Sequence, residues 1–144
     1  MSVDYLIDMS AWARLQHPKL SRARSEHVAQ AITDGRVHAC PPFLLELGYS
    51  ARNHPDYAAL MALVHDAMPL VPLTPGCVAD ALRMQEQLAT SSHHRVKPND
   101  LLVAAIAADN DLTVLHFDKH YPIIAQRSGR DVRVEWLAPR TSLG

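Results

Sequence analysis

Residues 98–118 read PNDLLVAAIAADNDLTVLHFD, and this stretch decides the fold. Asn99 or Asp100 opens a helix whose body, Leu101 to Ala108, is apolar nearly all round. A helix with no polar face is buried between layers rather than laid on a surface. After a short polar turn, Leu112 to Phe117 forms a strand with an apolar run that ends at Asp118. Downstream, Tyr121 to Ser128 reads as a helix stopped by Gly129. Val132, Val134 and Trp136 then alternate with Arg133 and Glu135, as in a half-exposed final strand.

The upstream chain repeats this alternation. Val3 to Ile7 is a short strand ending at Asp8, and Ser10 is placed to cap a helix that starts at Ala11. Ser21 to Asp34 is a helix stopped by Gly35, and Val37 to Cys40 is a strand. Pro41-Pro42 breaks that strand before a helix containing Phe43, Leu44, Leu47 and Ala51, with Glu46 about one turn in. Tyr57, Leu60, Met61 and Val64 continue at helical spacing up to Asp66. Two prolines make Met68 to Leu73 an edge strand at best. Thr74-Pro75 starts a helix whose expected apolar face is Val78, Ala81, Leu82, Gln85 and Leu88, and polar Ala89 to Pro98 reads as a surface loop. Strands alternating with helices imply an α/β fold, a mainly parallel central sheet with helices on both faces, in one domain spanning 1–144.

Composition narrows the function classes. Hydrophobic residues are 48% of the chain, yet the longest apolar run, in LLVAAIAA, is far below the roughly 18 residues of a membrane span, so no membrane role is expected. The start MSVDYLID lacks the architecture of a secretory signal, and Cys40 and Cys77 are the only cysteines, so a cytoplasmic setting with two core thiols is expected. A formal charge of −1, from 14 Lys and Arg against 15 Asp and Glu, does not suit gripping long nucleic acid by charge alone. Nine histidines come without C-x-x-C or H-E-x-x-H spacing, which gives zinc little support.

The chemistry lies in four acids. Asp8, Glu46, Asp100 and Asp118 each sit where an apolar run gives way to a turn or a helix start. In an open α/β fold the carboxyl ends of parallel strands gather along one edge, where ligands bind. Each acid has an ordinary explanation: Asp100 and Asp8 as helix caps, Asp118 as a turn residue. Glu46 is harder to explain that way, because Leu44, Leu45 and Leu47 suggest an apolar surround in which a lone carboxylate is costly. Carboxylates gathered in one pocket repel one another unless they hold a hard cation such as Mg²⁺ or Mn²⁺.

The runs YLIDMSAWA, LLELGYSA, PNDLLVAAIA and VLHFDKHYPIIA resemble the four acidic blocks of PIN-domain ribonucleases, in the order and spacing of a VapC-type toxin. The resemblance covers essentially the whole chain and implies a PIN-like fold. It carries the family's acidic positions onto Asp8, Glu46, Asp100 and Asp118. Met9 departs from the threonine of many relatives, while Ser10 keeps the serine that follows it. The resemblance implies a Mg²⁺-dependent endoribonuclease, with Mn²⁺ able to substitute, whose metal ligands are Asp8, Asp100 and Asp118, direct or through water. Glu46 completes the set or orients the attacking water. It also implies an RNA substrate of the tRNA or ribosomal class, a small VapB-type antitoxin and a homodimer. In-line attack by water should leave a 5′-phosphate and a 3′-hydroxyl.

Supporting residues keep two readings each. Ser10 and Asn99 either hydrogen-bond the acids or act as plain caps. Arg14, Arg22, Arg24, Arg95, Lys97 and Lys119 are either phosphate contacts or solvated charges. His116 is expected to be a packed, hydrogen-bonded histidine, and His93-His94 a mobile exposed pair. A haloacid-dehalogenase-like phosphatase would need a second acid where Ser10 stands, and a receiver domain would need paired acids after the first strand. The remaining rival is a non-catalytic PIN-like interaction module.

Overall fold

The two apolar runs that end in aspartates are neighbours. In the computed structural model, which describes residues 2–143, β1 (Tyr5–Ile7) and β3 (Thr113–His116) pair in parallel, with Tyr5 beside Thr113 and Ile7 beside Leu115. β2 (Val37–His38) pairs with the other edge of β1, and β4 (Arg133–Trp136) with the other edge of β3. The sheet is therefore four parallel strands in the order β2-β1-β3-β4. Every residue of β1 and β3 is buried. Successive strand residues face opposite sides, so unbroken burial means that both faces are covered.

Among the described residues, seven helices provide that cover: α1 (Met9–Trp12), α2 (Arg22–Thr33), α3 (Pro41–Tyr49), α4 (His54–Ala67), α5 (Pro75–Ala89), α6 (Pro98–Asp109) and α7 (His120–Arg127). The all-apolar body of α6 is buried as its composition requires, with Val103, Ala104, Ala105, Ile106 and Ala107 fully or almost fully out of water. Helix starts follow local chemistry. Ser21, Asn53 and Thr74 each accept a hydrogen bond from the backbone two or three residues into the helix, and prolines occupy the first turns of α3, α4, α5 and α6. Gly48 lets α4 close on α3, because a Cβ there would lie 2.7 Å from the Tyr57 ring. Gly35 and Gly129, at φ +72° and +76°, end α2 and α7 in the left-handed conformation that favours glycine.

Three local expectations need correction. Asp8, not Ser10, caps α1: its side chain accepts the Ser10 backbone N–H. The inward face of α5 is Cys77, Ala81, Met84 and Leu88, while Val78 and Leu82 are 39% and 63% exposed. Two apolar stripes run side by side on that helix, and the one containing Met84 faces the core. Met68 to Leu73 is an edge at best, as expected, with a single parallel bridge between Leu70 and Ala39. In the polar loop, Val96 is buried, and the His93 backbone N–H bonds Leu88 O at 2.8 Å while its ring nitrogen Nδ1 lies 3.0 Å from Ser91 Oγ. Cys40 and Cys77 are both free and buried, as their small size and scarcity suggested.

Candidate active site

The sheet order places a topological switch point between β1 and β3, since the chain leaves β1 toward one edge and returns on the other. Ligands of open α/β sheets bind in the crevice beyond the strand ends at such a point. Asp8 follows β1 directly and Asp118 lies two residues beyond β3. α6 carries Asp100 in its first turn, and α3 carries Glu46. All four acids line one cavity of about 260 Å³, together with Ser10, Arg14, Lys97 and Phe117. A larger cavity of about 560 Å³ lies elsewhere, beside α4, and is almost wholly apolar. Donor chemistry, not size, makes the acidic cavity the candidate site.

Asp8 is buried and held by three donors. Ser10 N and Ser10 Oγ bond its Oδ2 at 3.0 and 2.5 Å, and the Tyr121 hydroxyl bonds its Oδ1 at 2.7 Å. Ser10 Oγ also accepts the Phe117 backbone N–H at 2.9 Å, which ties the loop after β1 to the end of β3. Asn99 does for Glu46 what Ser10 does for Asp8. Its Nδ2 donates to Glu46 Oε1 at 2.6 Å and to Pro42 O at 3.0 Å, joining α6 to α3. Glu46 is half-buried rather than sunk among leucines, because Leu45 beside it points outward at 73% exposure.

The electrostatics are uneven. Burial first, then the charges of Asp8 and Asp118, push the Asp100 carboxyl up to about 8. Asp118 goes the other way: burial opposes ionisation, but the His120 backbone N–H and the Lys97 ammonium outweigh it and hold the carboxyl below its usual range. Lys97 Nζ lies 3.1 Å from Asp118 Oδ2. Burial and the neighbouring carboxylates keep the Tyr121 phenol a neutral donor. Burial and the two neighbouring carboxylates together favour the neutral form of Asp100, as expected where acids gather without a counter-charge. Clustered carboxylate oxygens are the donors a hard divalent cation takes, so Mg²⁺ or Mn²⁺ fits these residues.

Two residues of the site escaped the sequence reading. Tyr121 is fully buried, its hydroxyl 2.7 Å from Asp8 Oδ1 and 3.4 Å from Asp100 Oδ1. His120 Nδ1 lies 3.3 Å from Asp100 Oδ2 and 3.8 Å from Asp118 Oδ1. The Asp118-x-His120 spacing across a strand-to-helix junction was the available signal. His116 is buried as expected: its Nδ1 accepts the Asp118 backbone N–H at 3.2 Å, and its ring packs against Tyr121 and Trp136. Burial pushes it down to about 4, so it is neutral. Arg14 lines the cavity with its guanidinium 4.9 Å above the Phe117 ring, whereas Arg24 is a structural clamp on Glu135, Trp136 O and Leu137 O. Arg22 pairs with Glu26 on the surface, and Arg95 and Lys119 are exposed.

Comparison with known proteins agrees with this geometry. The profile of the PIN domain matches residues 5–126. The chain belongs to the PIN-domain family. Among relatives of this PIN domain, Ribonuclease VapC51 of Mycobacterium tuberculosis is 35% identical over 139 residues, covering 96% of both chains, and Ribonuclease VapC18 of the same organism is 31% identical over 142 residues, covering 96% of this chain and 98% of the relative. In structure, a chain of VapBC-1 from nontypeable Haemophilus influenzae superposes with a TM-score of 0.74 at 14% identity, over 94% of this chain and 98% of that one. A chain of Rickettsia felis VapBC2, solved bound to a promoter DNA fragment, gives 0.73 at 13% identity, over 93% and 98%. At such identities the likeness concerns the fold. The relatives' names carry the VapC assignment.

Proposed function

We propose that this PIN domain is a divalent-metal-dependent endoribonuclease and the toxin of a VapBC-type pair. The observation that carries the reading is the convergence of Asp8, Glu46, Asp100 and Asp118 on one cavity at the switch point, with Asp100 raised to about 8 by burial first and by its acidic neighbours second. The ribonuclease names of relatives that match almost end to end support the same reaction. Asp8, Asp100 and Asp118 would hold Mg²⁺ or Mn²⁺, with Glu46 completing the set or orienting water. When bound, the cation neutralises charge on the phosphodiester and makes water more nucleophilic.

The protein's part is to position and to exclude disorder. Ser10 and Tyr121 fix both oxygens of Asp8, and Asn99 fixes Glu46, so these carboxylates are set before substrate arrives. Lys97, with its side chain 64% exposed, and Arg14 stand at the cavity as cations for a phosphate backbone. With a net charge of −1, this local pair has to do the gripping. Single-stranded regions of tRNA or ribosomal RNA, in the cytoplasm, are the substrate class we assign. No helix among the described residues is long and apolar enough to cross a membrane.

The apolar groove beside α4, lined by Leu44, Met61, Met68 and Leu70, is where we place an amphipathic antitoxin helix. Leu45, Tyr49, Tyr57 and Leu63 leave further apolar surface exposed on α3 and α4. The uncovered stripe of Val78 and Leu82 on α5 is the face we assign to a second copy in a homodimer. The decisive experiment is cleavage of tRNA and ribosomal RNA fragments with Mg²⁺, with Mn²⁺ and with EDTA. Metal-dependent cleavage is expected. Absence of cleavage in all three conditions would favour the non-catalytic interaction module.

A further inference from the structure

The acids that the sequence singles out are all oxygen donors, but one close group of ligand atoms at the acidic site is mixed. One oxygen each from Asp100 and Asp118 and a ring nitrogen of His120 lie within 4.8 Å of one another. Ligands held at about 2.0–2.2 Å around one ion sit roughly 3–4 Å apart, and the Nδ1 separations of 3.3 and 3.8 Å from the two carboxylates fall in that span. We propose that His120 Nδ1 is a ligand of the cation beside Asp100 and Asp118, and that it tilts the site from Mg²⁺ toward Mn²⁺. The inference rests on the metal-dependent reading above.

The hydrogen-bonding around the imidazole supports a ligand role. The Lys97 backbone N–H points at Nδ1 from 3.4 Å, a long contact that requires the lone pair on that nitrogen. In that tautomer the Nδ1 lone pair faces Asp100 Oδ2 at 3.3 Å, a contact served by the proton of neutral Asp100 in the metal-free protein and by a cation bridging the same two atoms once that proton is displaced. The opposite state, a protonated Nδ1 paired with Asp100, leaves the Lys97 N–H facing another donor. A bound cation takes the lone pair and the weak Lys97 contact gives way. The backbone is already fixed for this, because His120 N donates to Asp118 Oδ1 at 2.9 Å and sets the ring at the start of α7. Hard Mg²⁺ prefers oxygen, imidazole suits the later divalent metals, and Mn²⁺ accepts both.

The test uses the full chain stripped of metal. Pulsed electron paramagnetic resonance of the Mn²⁺-loaded protein should show nitrogen modulation from one imidazole. That signal should vanish in His120→Ala while Mn²⁺ still binds through the carboxylates. Calorimetric titration with each metal should show the ratio of Mn²⁺ to Mg²⁺ affinity falling about tenfold in His120→Ala, the low end of what loss of a metal-supporting group costs. His120→Asp should bind both metals, with the preference moved toward Mg²⁺. Mn²⁺ bound without nitrogen modulation, or an unchanged affinity ratio in His120→Ala, would show an ordinary ion pair and overturn the proposal alone. Failure of the wild type to bind either metal would overturn the metal-dependent reading as well.

Discussion

The Tyr121 hydroxyl donates a 2.7 Å hydrogen bond to Asp8 Oδ1 across 113 residues of sequence. It joins the first turn of α7 to the end of β1 beside α6, since the same hydroxyl lies 3.4 Å from Asp100 Oδ1. A neutral phenol between two acids gives Asp8 a donor without adding charge.

Tyr121→Phe keeps the ring packing and removes that donor. A hydrogen bond to a buried charged group contributes about 1.5–3 kcal/mol, and the metal-free variant should lose stability of that order in urea denaturation with an unchanged slope. An unaltered midpoint would mean that Asp8 does not depend on the bond.

Asp8→Asn and Asp100→Asn each remove a charge that the transition state needs. Initial rates on RNA with saturating Mn²⁺ should fall at least about a hundredfold. The products of the wild type should carry 5′-phosphate and 3′-hydroxyl ends, readable by ligation and phosphatase treatment. Near-wild-type rates in either variant would remove these residues from the acidic centre.

Growth of a bacterial host provides an independent check. Expression of the wild-type chain alone should arrest growth, co-expression of its antitoxin should relieve the arrest, and Asp118→Asn should be harmless. Arrest by the variant at equal expression would separate toxicity from catalysis.

His116 sets an acid limit. Its folded-state value is pushed down to about 4 from an unfolded value near 6.5. A depressed value means that the unfolded chain binds the extra proton first. The contribution of neutral His116 is therefore complete above about pH 6.5 and is lost as pH falls toward 4. His116→Asn can still accept the Asp118 N–H but cannot ionise, so it should be less stable at pH 7 and lose less between pH 6.5 and 4.5. Equal slopes for variant and wild type over that interval would remove His116 as the cause.

The elements most legible in sequence are those with one dominant signal. The all-apolar body of α6, the run before Asp118 and the proline-led helix starts each allowed a single solution, and the four acids followed because strand ends in such a sheet converge. Where two signals competed, sequence lost. α5 carries two apolar stripes, and only tertiary packing selects the one through Met84. Ser10 and Asp8 both suit a cap, and it is the position of Phe117 N that draws Ser10 Oγ away toward β3. Tyr121 was invisible because its partner Asp8 is 113 residues distant, a relation that no local pattern encodes, and of the contacts of His120 only the one with Asp118 is local.

Asp100 and Asp118 should respond in opposite directions when neutralised in metal-free protein. Asp100 is raised to about 8, against an unfolded value near 3.9, so the folded state holds a proton that the unfolded chain releases. Its contribution is complete below about pH 4 and declines as pH rises through 8, because ν_N exceeds ν_U across that interval. Asp100→Asn cannot acquire the charge, so relative to wild type it should gain stability between pH 5 and pH 8 in EDTA. Asp118 is held below its ordinary value by the His120 N–H and Lys97, so its contribution is present above about pH 4 and fades as acid protonates it. Asp118→Asn should therefore be destabilised at pH 7.5. Mn²⁺ should raise the wild-type melting temperature by mass action, and Asp100→Asn should respond less. Thermal melts of the three proteins at pH 5 and 7.5, with EDTA and with Mn²⁺, separate the cases. Equal destabilisation of both variants at pH 7.5, in a wild type indifferent to Mn²⁺, would make the acids ordinary structural groups and remove the physical basis for a metal-dependent nuclease.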